Sequence, residues 1–161
     1  MSYKIEQASK DDLNFILSLN QDSIPSVSSS NLEMMRHFLA ISDYFKVCKV
    51  NGISIGFLIA LLPEKDYNSE HYKWFNDRYD SFIYVDRIIF NKSYQKQGYG
   101  TIFYNDLKKT MKNKLTNIVC EINIKPYNKQ SINFHKKYGF NEVGRKDIDN
   151  NKSVIYMVYK N

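Results

Sequence analysis

The sequence predicts a single α+β domain over residues 1–161, with a mixed, mostly antiparallel seven-stranded central sheet flanked by helices. Three observations carry this expectation. The chain has 161 residues, the length of one ordinary domain. Its 43% hydrophobic and 25% charged content is that of a globular chain able to bury a core. Its apolar spacing switches repeatedly between strand-like and helix-like periods, with no internal repeat and no long linker. The order that results is β-α-α-β-β-β-α-β-α-β-β.

Residues 3–8 alternate and read as the first strand. Ser9 is placed to cap a helix with Asp11 and Asp12 in its first turn and Leu13, Ile16 and Leu17 at helical spacing. That helix ends before Ser23-Ile24-Pro25, and a polar loop runs to Ser30. Asn31 caps a second helix with Leu32, Met35, Phe38 and Leu39 on one face. Residues 44–50 and 53–62 are two strands joined at Asn51-Gly52, a strong hairpin signal. Residues 63–80 lose periodicity and read as an insertion with a short aromatic helix around His71-Tyr72-Lys73-Trp74-Phe75. Loops of this length are usually functional or mobile, and Tyr72, Trp74 and Phe75 fit a pocket wall, a lid or a packing face equally well. Residues 81–90 are strongly apolar and form a central strand. A helix follows with Phe103, Leu107, Met111 and Leu115 at intervals of four and Asn105, Lys108, Lys109 and Lys112 on its wet side. Residues 117–124 are a strand, parallel to the one at 81–90 through a right-handed crossover. Asn128 caps a short helix holding Ile132, Phe134 and Tyr138 and ending at Gly139. Residues 140–146 and 153–159 close the sheet. Tyr156, Val158 and Tyr159 on the last strand suit a core, or the interface of a homodimer; monomer and homodimer both stay open.

Composition excludes several classes. Mean hydropathy is −0.50, and no run reaches the roughly 18 apolar residues of a membrane span. The N-terminal segment lacks a basic-then-apolar export pattern. Cys48 and Cys120 lie far apart without a CxxC pair, which argues against a zinc ribbon or disulfide scaffold and fits a reducing cytoplasm. His37 and His71 have no ligand spacing, so no metal site is expected. The net charge of +6 points to an anionic partner without saying which.

One turn narrows that choice. Gln95-Lys96-Gln97-Gly98-Tyr99-Gly100 lies between a buried strand and the start of an amphipathic helix. Glycines let backbone approach a ligand closely, and free N–H groups at a helix start attract phosphate oxygens. The Walker spacing GxxxxGK[ST] is absent. The dinucleotide spacing GxGxxG fails because Phe103 stands where the third glycine belongs. The spacing that fits is [Gln/Arg]-x-x-Gly-x-[Gly/Ala], although a two-glycine turn before a helix is also plain turn chemistry.

With this turn, the stretch Asp86-Arg87-Ile88-Ile89-Phe90 through Gly100 and the run Asn128-Lys129-Gln130-Ser131-Ile132-Asn133-Phe134-His135-Lys136-Lys137-Tyr138-Gly139-Phe140 resemble the GNAT acetyltransferase superfamily. The element order is similar over nearly the whole chain. Val119-Cys120-Glu121-Ile122-Asn123 also resembles a bacterial subgroup of predicted acetyltransferases. The resemblance implies an acetyl-CoA-dependent N-acetyltransferase acting on a primary amine of a small molecule or peptide. It places the pyrophosphate on the turn Gln95, Lys96, Gln97, Gly98, Tyr99, Gly100 and Thr101. It pairs the pantetheine arm with the strand end Ile88, Ile89 and Phe90, and brings Asn128, Ser131, Phe134 and His135 of the short helix to the cofactor. Lys96 and Lys137 are candidates for phosphate contacts, or solvated surface lysines.

Direct acyl transfer needs a neutral amine. A lysine-type amine of pKa about 10.4 is neutral in only roughly one molecule in two thousand at pH 7, while an α-amine near 7.7–8.0 is neutral in about a tenth. The need for a general base therefore depends on the acceptor. Asp86 and Glu121, on the two strands the family splays apart, are the candidate bases. An acid amid an apolar strand is costly unless paired or functional, which makes Asp86 the better candidate, with Arg87 as a possible structural partner. The departing thiolate wants a proton or a hydrogen bond. The family often supplies a tyrosine where this chain has His135, so His135 and Tyr138 are both candidates for the acid. Cys120 reads as inert packing.

The acceptor is expected against the early helices, loop 23–30 and insertion 63–80. Nucleic acid is not expected as a partner, since no helix-turn-helix, RRM-type aromatic motif or zinc finger is present. The rival reading is a non-catalytic CoA-binding or nucleic-acid-binding module, the latter resting on the basic helix 105–114.

Overall fold

Alternating apolar residues pair seven strands into one sheet of order β1-β2-β3-β4-β5-β7-β6. The computed structural model describes residues 2–114 and 117–161. The elements are β1 (Tyr3–Gln7), α1 (Leu13–Asp22), α2 (Leu32–Ile41), β2 (Tyr44–Val50), β3 (Ile53–Leu61), α3 (Glu70–Asn76), β4 (Phe82–Phe90), α4 (Tyr99–Met111), β5 (Asn117–Lys125), α5 (Lys129–Tyr138), β6 (Asn141–Asp149) and β7 (Lys152–Tyr159). Leu115, expected on the buried stripe of α4, lies outside the described residues.

Local chemistry sets the boundaries. The backbone N–H of Ser9 donates to Asp12 at 2.8 Å, closing a 3-10 turn at 10–12 from which α1 starts. The Asn31 side chain accepts from the Met34 N–H at 2.8 Å and starts α2. Asn51 and Gly52 both have positive φ, 50° and 80°, the two left-handed residues a tight hairpin turn requires. Every pairing is antiparallel except β4 with β5.

Each face of the sheet carries its own core. On one face Phe45, Phe57, Phe82, Tyr84 and Tyr156 pack under α1, α2 and α3. On the other, Tyr44, Leu58, Ile83, Ile118 and Met157 pack under α4 and α5. The insertion belongs to the first core. Tyr72 and Phe75 are buried, and Trp74 stacks on Tyr156 at 4.2 Å between ring centres. The three aromatics left open as wall, lid or packing face thus pack. Tyr156 and Val158 are buried within the same chain.

Candidate active site

Among the described residues β4 and β5 form the one parallel pair, and the sheet opens where that pairing ends. β4 and β5 are registered only from Phe82↔Asn117 to Tyr84↔Val119, and beyond that they separate. One cleft of about 1410 Å³ runs through the gap, lined on one side by the turn 94–101 with α4 and α5, and on the other by loop 22–28 and residues 67–71.

On the first side the site is mostly backbone. Gly98 precedes α4 with φ 89°, a conformation that strains any side-chain-bearing residue. A Cβ there would meet nothing within 4 Å, so the space over this helix start is open. Gly100 has a different reason. Its Cβ would lie 2.8 Å from the Phe134 ring, so glycine is what lets α4 and α5 approach. The Gln95 side chain turns inward and donates to the Phe90 carbonyl at 2.9 Å, tying the turn to the end of β4. Lys96 has φ 60° and is exposed; Lys96 and Lys137 both line the cleft. Ile88, Ile89 and Phe90 pair with β3 on one edge, while their other edge borders the cleft. The Asn128 side chain accepts from the Ser131 N–H at 3.3 Å and caps α5.

The far side is a network of side chains. A bulge in β4 opposite Ile59 and Ala60 leaves Asp86 without a β3 partner. Such a bulge turns adjacent side chains the same way, and Arg87 Nε reaches Asp86 Oδ2 at 2.6 Å. The Tyr67 hydroxyl donates to the other Asp86 oxygen. Arg87 also donates from Nη1 to Asn20 Oδ1 at 2.7 Å and to the Ser28 carbonyl at 3.4 Å. Asn20 in turn donates to that carbonyl at 3.1 Å, and Asn123 to the Pro25 carbonyl at 2.9 Å. Side chains from β4, α1, β5 and the insertion thus hold loop 23–30 over the gap. Both oxygens of Asp86 are occupied and its side chain is only 4% exposed.

Glu121 is placed differently. It projects from β5 toward the same face, with Tyr156 as its cross-strand partner. The Tyr84 hydroxyl donates to its Oε2 at 2.5 Å. Burial, aided by the charge of Asp86, pushes its carboxyl up to about 8, against the hydrogen bond from Tyr84.

His135 points into the α4–α5 side and is buried. Its Nδ1 lies 2.7 Å from the Ser131 carbonyl, which can only accept, so the proton sits on Nδ1. Nε2 then accepts from the Tyr104 hydroxyl at 2.7 Å. Burial pulls the imidazole down to about 4, so the ring is neutral and has no proton on Nε2 to give. Tyr138 donates to Asn105 Oδ1 at 2.8 Å and joins α5 to α4. The Cys120 thiol is pushed up by burial, as inert packing requires. Among the described residues no group of three or more His, Cys, Asp or Glu is arranged to hold a metal ion.

Tyr67, Asn20, Tyr84 and Tyr104 were not singled out from sequence. Two left signals. Asn20 falls on the apolar stripe of α1 begun by Leu13, Ile16 and Leu17, and Tyr84 sits two residues before Asp86, on the same face of the strand.

The fold is shared with solved acetyltransferases. Ard1 from Thermoplasma volcanium superposes with a TM-score of 0.79 at 15% identity, over 99% of this chain and 97% of that one. Arabidopsis thaliana NAA60 in complex with a bisubstrate analogue gives 0.77 at 18% identity, over 98% and 97%. The Escherichia coli ribosomal-protein-S18-alanine N-acetyltransferase gives 0.71 at 16% identity, over 98% and 92%. No curated protein sequence matches the chain. The model of the acetyltransferase (GNAT) family matches residues 14–140, most of the chain and all of the cleft's central elements, and the chain belongs to that family.

Proposed function

We propose that this protein is an acetyl-CoA-dependent N-acetyltransferase that moves the acetyl group to a primary amine by direct attack on the thioester. The observation that carries this reading is the cleft running from the open helix start at Gly98, along the free edge of β4, to the Glu121 carboxyl. The open space at Gly98 and the close α4–α5 approach at Gly100 suit a pyrophosphate on the N–H groups of residues 98–101. Acetyl-CoA supplies the activated acyl group; the rest is the work of this chain.

Glu121 is the base in this reading. Its carboxyl near 8 matches an α-amine of about 7.7–8.0 far better than a lysine-type amine of about 10.4, which favours an α-amine of a small molecule or peptide. Asp86 is a positioning residue: with both oxygens engaged, it fixes Arg87 and so the loop that meets the acceptor. On the other side the Tyr104 hydroxyl gives its one proton to His135 Nε2, so neither group offers a proton to the departing sulfur.

The test is thiol release from acetyl-CoA over a panel of amino acids, peptides and polyamines, run beside a thermal shift with acetyl-CoA alone. Turnover with an α-amine and a shift equivalent to about 2.7 kcal/mol at 100 times Kd are expected. A shift without turnover on any amine would make it a CoA-binding protein, and no shift would overturn the reading altogether.

A further inference from the structure

The charge of this chain is unevenly partitioned along its sequence. Residues 91–140, which hold the turn, α4, β5 and α5, contain ten lysines against Asp106 and Glu121, a net +8. The remainder of the chain is at −2. All ten lysines except the half-buried Lys108 are exposed. Among the described residues, none of the ten comes within 4 Å of a carboxylate, whereas lysines elsewhere do so repeatedly. Asp106, the one acid of α4, is taken by Lys46 at 2.8 Å.

A bound CoA accounts for only part of this. It carries about four negative charges on its phosphates, and Lys92, Lys96 and Lys137 line the cleft where they would lie. The lysines at the other end of α4 are elsewhere. Twelve residue steps separate Tyr99 from Met111, about 18 Å at 1.5 Å per residue. That exceeds the Debye length of roughly 10 Å at 0.1 M salt, so Lys109, Lys112 and Lys114 are not neutralised by an anion at the turn. Cations near a helix C-terminus complement its dipole, which suits Lys109 in the last turn and Lys112 at the C-cap, but that effect fades beyond the helix end, where Lys114 lies. The strip is also rigid. Tyr138 bonds α5 to α4 at Asn105, and Lys108 sits 5.0 Å from the ring centres of Tyr138 and Tyr159.

We propose that the C-terminal end of α4, with the turn that follows it, is a docking surface for the phosphate backbone of a nucleic acid, separate from the cleft. Lys109, Lys112 and Lys114 offer exposed cations there, which suits a linear polyanion. It does not suit a lipid surface, because among the described residues neither helix exposes a large apolar side chain to insert. The lack of a base-reading motif means that such binding reads charge and not sequence. The acceptor would then be a species found with nucleic acid, brought close by the strip and acetylated at the cleft.

The test is fluorescence anisotropy with a labelled single-stranded RNA of about 16 nucleotides, with acetyl-CoA saturating. Three lysine contacts predict a log–log salt slope of about −2.1 and roughly twenty-fold weaker binding between 50 and 200 mM salt. K109E/K112E/K114E should weaken binding at least tenfold and flatten the slope by about 2. Its kcat/KM for acetyl-CoA and its melting temperature should match the wild type, which separates loss of docking from misfolding and from failure of the acetyltransferase reading. The glutamine triple variant should show an intermediate loss. Absence of RNA binding at low salt, full displacement by acetyl-CoA, an unaffected triple variant, or preference for phosphatidylglycerol vesicles over RNA would each overturn the proposal.

Discussion

The two sides of the cleft are built from different materials. The turn side uses backbone: a left-handed glycine, the first N–H groups of α4 and a glutamine that ties the turn to β4. The acceptor side uses side chains drawn from four elements, with Asp86, Arg87, Tyr67, Asn20 and Asn123 joined by hydrogen bonds that fix loop 23–30. Backbone geometry tolerates most substitutions that keep the turn. A half-satisfied buried network is costly, because each partner removed leaves another stranded. The turn side should therefore be robust and the side-chain network brittle.

The sharpest way to break this contrast is at Arg87. Arg87→Met leaves the Asp86 charge buried without its cation and should cost about 3–5 kcal/mol of stability, read from the urea midpoint. A loss under 1 kcal/mol would show that the network does not bind the loop. Next is Glu121→Gln, which should keep the bond from Tyr84 yet lower kcat/KM by about 10²–10³, with KM for acetyl-CoA unchanged. Wild-type kcat/KM should rise as pH passes about 8, where Glu121 and an α-amine acceptor both lose their protons, and in the variant this limb should become shallower, with only the amine left to titrate. Stability moves oppositely. A carboxyl raised from 4.5 to about 8 by folding favours the folded state below pH 4.5 and progressively loses that benefit up to pH 8. The variant should therefore gain on the wild type in melting temperature across that window and hold a constant lead above it.

Gly98→Ala tests the turn. It strains a left-handed residue by about 1–2 kcal/mol and places a methyl group where the space is open, so KM for acetyl-CoA should rise about tenfold while melting falls only slightly. The smallest effect is expected from His135→Asn. A ring held neutral down to about 4 has no titration near neutrality to lose, so kcat should change less than about tenfold and the profile between pH 5 and 8 should keep its shape. A lost limb near pH 6.5 would restore His135 as a proton donor.

Much of this was legible in the chain. Apolar period placed six of the seven strands within a residue and missed the end of β6 by three, and Asn31, Asn51-Gly52, Asn128 and Gly139 marked boundaries through side-chain or turn chemistry that acts over a few residues. The turn Gln95 to Gly100 was readable for the same reason. The role of Asp86 was not. Its partner Arg87 is adjacent, but on an unbroken strand neighbouring side chains point to opposite faces, and only the bulge brings them together. His135 was visible as the residue in a family tyrosine's place, while its burial under Tyr104, 31 residues away, was not.

Sequence by itself determined the elements, their order and the two-glycine turn before α4, because capping, turn geometry and apolar period are short-range. It also held the lysine excess of residues 91–140 in plain count. Tertiary structure alone decided which carboxylate is clamped by two partners and which has its pKa raised by burial. Burial, and the charges and donors that surround a group, come from contacts between distant segments, and it is these that set whether an acid holds a loop in place or waits for a proton.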